Sequence, residues 1–182
     1  TCNAENVFNI AIKGSFDDCQ KIVKDMFVDQ DFANKINMSG VNSINWARII
    51  AQIVYYFFIY YRFNNSKKPI VVSVPTGNFG DIYAGYVAKQ MGLNIKELIV
   101  ATNQNNILQR CINTGEYKPL DVAESISPSM DIQVASNFER ILFYLCNENA
   151  EDLKKLMNDL KTKGYFKLSK KQLENLRDHF SA

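Results

Sequence analysis

Three groups of residues in this 182-residue sequence have types and spacings that could do chemistry. The first is Gly77-Asn78-Phe79-Gly80. It follows the apolar run Ile70-Val71-Val72-Ser73-Val74 and Pro75-Thr76, and it precedes Asp81 and a helical pattern that reaches Met91. A strand, a tight turn and a helix in that order aim free backbone N–H groups and the positive end of a helix dipole at one point. That geometry suits an anion such as a phosphate. The same turn is also common punctuation between strand and helix, and the Asp81 carboxylate would compete for those donors. No Lys-Ser or Lys-Thr follows Gly80, so the turn is not a nucleotide P-loop, and the third glycine of a dinucleotide fingerprint is missing.

The second group is Asn45, Arg48 and Gln52, spaced i, i+3 and i+7 on one stripe of a helix that is otherwise apolar through Tyr61. A run so hydrophobic on every side is expected in the middle of a protein. An arginine buried there needs an anionic partner. An internal salt bridge to a distant Asp or Glu and a bound phosphate or carboxylate would satisfy it equally. The third group is the soft ligands: Cys2, Cys19, Cys111, Cys146 and the single histidine, His179. They lie far apart with no Cys-x-x-Cys pair, so a metal site is not expected and a reduced, cytoplasmic chain is the simple reading. His179 is expected to be a solvated residue of a charged helix.

The elements that must position these groups follow from pattern. Residues 6–12 alternate as a short strand, and a helix capped by Ser15 or Asp17 follows, with Cys19, Ile22, Val23, Met26 and Phe27 on one face. The polar segment 29–39 is a plausible hinge. Asn42 or Ser43 caps the long apolar helix. The run 70–74 reads as a strand buried on both faces, as in a parallel sheet, and Gly92 ends the helix after the turn. Leu98-Ile99-Val100-Ala101 is a second strand, making a βαβ unit whose loops lie at the carboxyl ends of the strands. Asn103-Gln104-Asn105-Asn106 opens another helix ended by Gly115, residues 127–132 form a turn, and Ser136-x-x-Glu139 reads as a capping box. Beyond Ala150 two amphipathic helices are expected, one ended by Gly164 and one capped by Ser169-x-x-Gln172 with Phe180 inside. With 47% hydrophobic and 12% aromatic residues the chain can bury a substantial core. A net charge of +2 gives no electrostatic case for nucleic acid or an acidic membrane. The apolar runs fall short of the roughly 20 residues a membrane span needs.

Several strings, taken together and in order, resemble the threonine synthase family, pyridoxal-phosphate enzymes of the tryptophan synthase β-like fold. They are Gly14-Ser15-Phe16-Asp17-Asp18-Cys19-Gln20, Val41-Asn42-Ser43-Ile44-Asn45-Trp46-Ala47-Arg48-Ile49, Pro75-Thr76-Gly77-Asn78-Phe79-Gly80-Asp81, Ala101-Thr102-Asn103 and Ser136-Asn137-Phe138-Glu139-Arg140. The resemblance implies an α/β fold: an incomplete three-layer α/β/α parallel-sheet lobe with a C-terminal helical appendage. It divides the chain into the end of a small lobe (1–40), part of a large cofactor-binding lobe (41–148) and the appendage (149–182). It assigns the phosphate of pyridoxal 5'-phosphate to Gly77, Asn78, Phe79 and Gly80. It assigns the phosphate of the substrate, O-phospho-L-homoserine, to Asn42, Ser43 and Arg48. The implied reaction is loss of that phosphate and addition of water to give L-threonine.

The departures matter as much. The family's Schiff-base lysine sits in a Phe-Lys-Asp string that does not occur here, and Phe166-Lys167-Leu168 is no substitute. The family's Ser-Gly-Asp-Thr-Gly and His-Thr-Ala-Val-Gly stretches are also missing, and the first residue is Thr1. The expectation is an internal piece that holds no catalytic lysine, is inactive alone, and self-associates through apolar surface left uncovered. Two rivals remain: a threonine synthase-like phospholyase, and a non-catalytic module whose turn binds a free anion.

Overall fold

The structure, a computed structural model, describes residues 4–14, 16–42, 44–63 and 68–182. The expected cap Ser15 and the candidate Ser43 lie outside the described residues. The chain forms two compact units, Thr1–Ser39 and Gly40–Ala182. In the first, helices α1 (Phe16–Val28) and α2 (Gln30–Lys35) pack together, and the Asp29 carboxylate starts α2 by accepting the Phe32 N–H at 3.0 Å. The strand expected over residues 6–12 does not form. The segment carries no regular structure, and Phe8 is 82% exposed. Alternation supplies a strand's side-chain pattern, but a strand also needs an edge to pair with, and every described strand lies beyond residue 69.

In the second unit the order is α3 (Trp46–Phe63), β1 (Ile70–Pro75), α4 (Gly80–Gln90), β2 (Ile95–Ala101), α5 (Ile107–Thr114) and β3 (Glu116–Tyr117). A 3-10 turn at Pro128–Met130 follows, then α6 (Phe138–Leu145), α7 (Ala150–Lys163), β4 (Phe166–Lys167), α8 (Lys170–Arg177) and β5 (Phe180–Ser181). The main sheet runs β1-β2-β5 with both pairings parallel, Val72 opposite Leu98 and Leu98 opposite Phe180. β3 and β4 form a small antiparallel ribbon. The core gathers around α4 and β2 from Ile82, Leu98, Phe79, Phe138, Leu142 and Phe180, and Tyr117 stacks between Phe138 and Phe166 with ring centres 5.2 and 4.9 Å away. This is a mixed α/β fold on a parallel sheet, as the βαβ pattern implies. Gly115 and Gly164 end α5 and α7 in the left-handed region, and the Ser169–Gln172 capping box starts α8.

Four expectations are corrected. β1 is the outer strand of the described sheet, not a strand buried on both faces: Val71 is 49% exposed and Ser73 is exposed. α3 is not surrounded. Ile49, Ile53, Tyr56 and Tyr60 are buried, one stripe at spacings of four, three and four, while Val54, Phe58 and Tyr61 on the remaining face are each more than 60% exposed. Composition fixes which residues can be buried, not which neighbours are there to bury them. Phe180 is not inside the last helix. α8 stops at Arg177, whose guanidinium donates to the Ile112 and Asn113 carbonyls at 2.8 and 2.6 Å and so caps the end of α5, and Phe180 enters the main sheet. His179 is therefore half-buried rather than a solvated helix residue. Its ring lies 5.1 Å from that of Tyr86, and burial lowers its pKa from the ordinary 6.5. No described helix is long and apolar enough to cross a membrane.

Because Phe180 is 1% exposed and packs on Phe79, Phe180→Ala is expected to cost about 3–5 kcal/mol in urea unfolding. An unchanged midpoint would mean that β5 contributes nothing to the core.

Candidate functional site

β1 ends at Pro75, and the chain leaves the sheet under two restraints. The Thr76 N–H donates to the Ala101 carbonyl at 2.7 Å, and the Thr76 hydroxyl donates to the Val74 carbonyl at 2.6 Å. The turn is thus pinned to the carboxyl ends of both strands, where open α/β sheets place ligands. Phe79 takes left-handed backbone angles (φ 63°, ψ 8°) immediately before α4, which is rare for a bulky side chain. Its ring is held in the core, edge-on to Phe138 at 5.1 Å and 5.2 Å from Phe180. The first N–H groups of α4 have no carbonyl one turn upstream, and the helix dipole adds positive potential at the same end.

These groups face a cleft of about 180 Å³ lined by Arg48 and Gln52 of α3, by residues 75–81, and by Ser129, Met130 and Ile132. Whole-ligand pockets run to roughly 300–1,000 Å³, so this cleft has room for one end of a ligand. Its floor is backbone. A Cβ on Gly77 would come 2.9 Å from Ile132 Cδ1, and one on Gly80 would come 3.2 Å from Asn137 Nδ2. The donors include main-chain N–H groups, one guanidinium, the Gln52 amide and the Ser129 hydroxyl, a set that suits a phosphate or carboxylate. Among the described residues there is no cluster of three or more His, Cys, Asp or Glu able to hold a metal.

The structure brings Gly77, Asn78, Phe79, Gly80 and Arg48 to one cleft. Phe79 can serve only through its backbone, because its side chain is 1% exposed and points into the core. Asn78 spends its side chain on bracing: its Oδ1 accepts from the Ser136 hydroxyl at 3.2 Å, and its carbonyl accepts the Asn137 N–H at 3.0 Å and the Asn137 amide at 3.2 Å. The expected Ser136–Glu139 capping box is accordingly not formed. Asn137 occupies the cap position of α6 without a side-chain cap bond, and Glu139 is exposed. Sequence spacing identifies a residue that could cap its own helix; it carries no information about a competing acceptor 58 residues upstream.

Arg48 is exposed rather than buried, and its guanidinium makes no hydrogen bond or ion pair with a described residue. Among the described residues the internal salt bridge is therefore not formed, and the guanidinium lines the cleft. Asn45 does not extend the polar stripe. It starts α3, its Oδ1 accepting the Ala47 N–H at 2.8 Å, while its amide donates to the Gly40 carbonyl. Asn42 does not cap α3 and does not line the cleft; its Oδ1 accepts the Ile44 N–H at 3.1 Å in the preceding turn. Asp81 is drawn aside by Tyr56 of α3, whose hydroxyl donates to the Asp81 carbonyl at 2.9 Å and to its carboxylate at 3.2 Å. Burial raises the Asp81 pKa, and the Tyr56 bond partly offsets this. The carboxylate thus competes less for the helix donors than its position in the sequence suggests.

Sequence reasoning missed the anchor of the opposite wall. Asp131 Oδ1 accepts from Ser125 Oγ at 2.6 Å, Asn103 Nδ2 at 2.7 Å and Asn105 Nδ2 at 2.9 Å, and its Oδ2 accepts the Ser125 N–H at 2.9 Å. The loop carrying Ser129, Met130 and Ile132 is tied in this way to the end of β2. The signal in the sequence was the density of Asn, Ser and Asp in both segments, which reads equally well as loop composition. The Ser125 hydroxyl bond first, then the remaining donors, hold the Asp131 pKa below its ordinary 3.8. The sign follows: a lowered folded pKa gives stabilisation that is complete above the unfolded value and lost as pH falls through the folded one. The Ser125 amide proton shift is expected to titrate with a midpoint below pH 3.8. A midpoint above that value would contradict the network.

No family model matches the chain. The threonine synthase of Saccharomyces cerevisiae is 47% identical over 190 residues, covering 98% of this chain and 37% of that protein. The threonine synthase of Pseudomonas aeruginosa is 46% identical over 182 residues, covering all of this chain and 39% of that protein. The crystal structure of pyridoxal phosphate-bound threonine synthase from Brucella melitensis superposes with a TM-score of 0.83 at 52% identity, covering 93% of this chain and 37% of that one. The chain thus spans less than two fifths of the relatives it matches. Sequence and fold agree: over nearly its whole length the chain matches threonine synthases, and it has the mixed α/β, tryptophan synthase β-like fold of that family.

Proposed function

We propose that this chain is part of a cytoplasmic threonine synthase, a pyridoxal 5'-phosphate-dependent lyase that converts O-phospho-L-homoserine and water to L-threonine and phosphate. The observation that carries the reading is one cleft holding both the 77–80 turn at the N-terminus of α4 and the guanidinium of Arg48, which makes no ion pair among the described residues. Two anions have to be bound in this chemistry, one on the cofactor and one on the substrate, and the cleft offers a distinct donor to each.

The cofactor phosphate is assigned to the backbone N–H groups of Gly77, Asn78, Phe79 and Gly80. The fit rests on main-chain donors at a helix N-terminus and on the two glycines, whose missing Cβ atoms let Ile132 and Asn137 pack against the turn. When bound, the pyridine ring supplies an electron sink for carbanion chemistry. This chain's own residues bind and orient. Arg48 presents a planar fork of donors to the substrate phosphate and stabilises it as it departs. Asn42, the other described residue of that assignment, lies in the turn before α3. Gln52 borders Gly80, its Oε1 being 3.7 Å from where a Cβ would stand.

A second reading, a module that binds a free anion without catalysis, is favoured by one feature: among the described residues no lysine lines the cleft. Both readings place an anion in this cleft, and the isolated chain tests that. Phosphate added to the 182-residue protein is expected to shift the amide resonances of residues 77–80, and Arg48→Ala to weaken phosphate binding about tenfold or more, since hydrogen bonds to charged groups are worth roughly 1.5–3 kcal/mol. Unchanged affinity would remove Arg48 from the site. The same chain with pyridoxal phosphate and O-phospho-L-homoserine is expected to release no threonine. Turnover would place a complete catalytic set within these residues. The exposed face of α3 is also expected to drive self-association, and a strictly monomeric mass by light scattering at high concentration would refute that.

A further inference from the structure

Arg140 takes no part in the cleft, yet it occupies a junction between two segments the proposed function assigns to anions. Its guanidinium donates from Nε to Asn137 Oδ1 at 3.0 Å and from a terminal nitrogen to the Ile44 carbonyl at 2.8 Å. The guanidinium carbon lies 5.2 Å from the centre of the Trp46 ring. On one side Asn137, which is 1% exposed, donates its N–H and its side-chain amide to the Asn78 carbonyl. On the other, the Ile44 N–H donates to Asn42 Oδ1, and the next residue, Asn45, starts α3 one turn before Arg48. An unbroken run of hydrogen bonds thus leads from the turn at Asn78, through Asn137 and Arg140, to the loop that sets where α3 begins.

The residue type fits this position and not a salt bridge. Among the described residues Arg140 makes no ion pair within the usual distance. It serves instead two neutral acceptors in different directions while lying on an indole face. A planar fork can do this, and a point charge on a flexible stem cannot. Without the bond to Ile44, the hydrogen bonds left to the described residues of 40–45 are the local turn bonds and the Asn45–Gly40 contact.

We propose that Arg140 is a positioning residue that fixes the 42–45 loop, and through it the start of α3 and Arg48, relative to the 77–80 turn. The two phosphate seats are thereby held at a set separation. This rests on the reading of the turn as an anion seat. It assigns Arg140 no contact with substrate or cofactor.

The test uses the isotope-labelled 182-residue chain titrated with inorganic phosphate and followed by amide chemical shifts. In the unaltered chain, phosphate is expected to shift residues 77–80 and also Ile44 and Asn45. In Arg140→Gln the 77–80 response should persist, with affinity weakened by less than in Arg48→Ala, while the Ile44 and Asn45 response is largely lost. Arg140→Lys should fall between, because an ammonium reaches one of the two acceptors. A general loss of structure would instead move methyl resonances throughout the core, and if the Gln variant behaves so, the Lys variant decides. A Lys variant indistinguishable from the unaltered chain then overturns the need for the fork. A full Ile44 and Asn45 response in the Gln variant, or none in the unaltered chain that does respond at 77–80, overturns the positioning role and leaves the turn reading intact. No response at 77–80 in the unaltered chain overturns both.

Discussion

The cleft depends on one residue held against its own preference. Phe79 sits in the left-handed region, a conformation costing roughly 1–2 kcal/mol for an L-residue with a side chain. It stays there because its ring is buried between Phe138 and Phe180. Burying such a ring contributes about 1.5–3 kcal/mol, and favourable edge-on pairs add about 0.5–1.5 kcal/mol each, so the strain is offset. The consequence is directional. With the ring anchored inward, the main chain on either side turns outward and α4 starts with its unpaired N–H groups facing the cleft. The last strand of the chain matters to the site for this reason, because Phe180 is one of the two rings that hold Phe79.

A second layer of restraint surrounds this one and is polar throughout. Thr76 ties the turn to both strand ends, Ser136 and Asn137 brace Asn78 from α6, and Asp131 gathers Asn103, Asn105 and Ser125 so that Met130 and Ile132 form the far wall. None of these bonds is worth much net of the water it replaces, about 1 kcal/mol in a typical case. Together they make the wall positions non-negotiable, because breaking any one leaves a half-buried donor or acceptor unmatched. Small residues at Gly77 and Gly80 then let the pieces approach without a side chain between them.

Much of this was legible in the residues. The strand, glycine turn and helix of residues 70–90, the second strand of the unit, and the ends at Gly115 and Gly164 follow from periodicity and from glycine's conformational freedom, which act over a few residues. What was not legible involved partners distant in the chain. Ser136 has the spacing of a capping box and is used for Asn78 instead. Arg48 looked buried because its helix is apolar on all sides, and it is exposed because only one stripe of that helix meets α4. Phe180 carries the pattern of a helix and is a strand, since α8 is stopped by Arg177 turning to cap α5.

The sequence by itself determined the chemistry at the centre of the chain: a glycine-flanked turn after an apolar run can present only main-chain donors, and an arginine one helix away adds the one cation. Those properties reside in residue type and short spacing. Tertiary structure alone decided that turn and arginine share a cleft, which backbone conformation Phe79 holds, and what Asn78, Asn137 and Arg140 bond to. Those outcomes require residues tens of positions apart to compete for the same few acceptors, and local pattern holds no record of that competition.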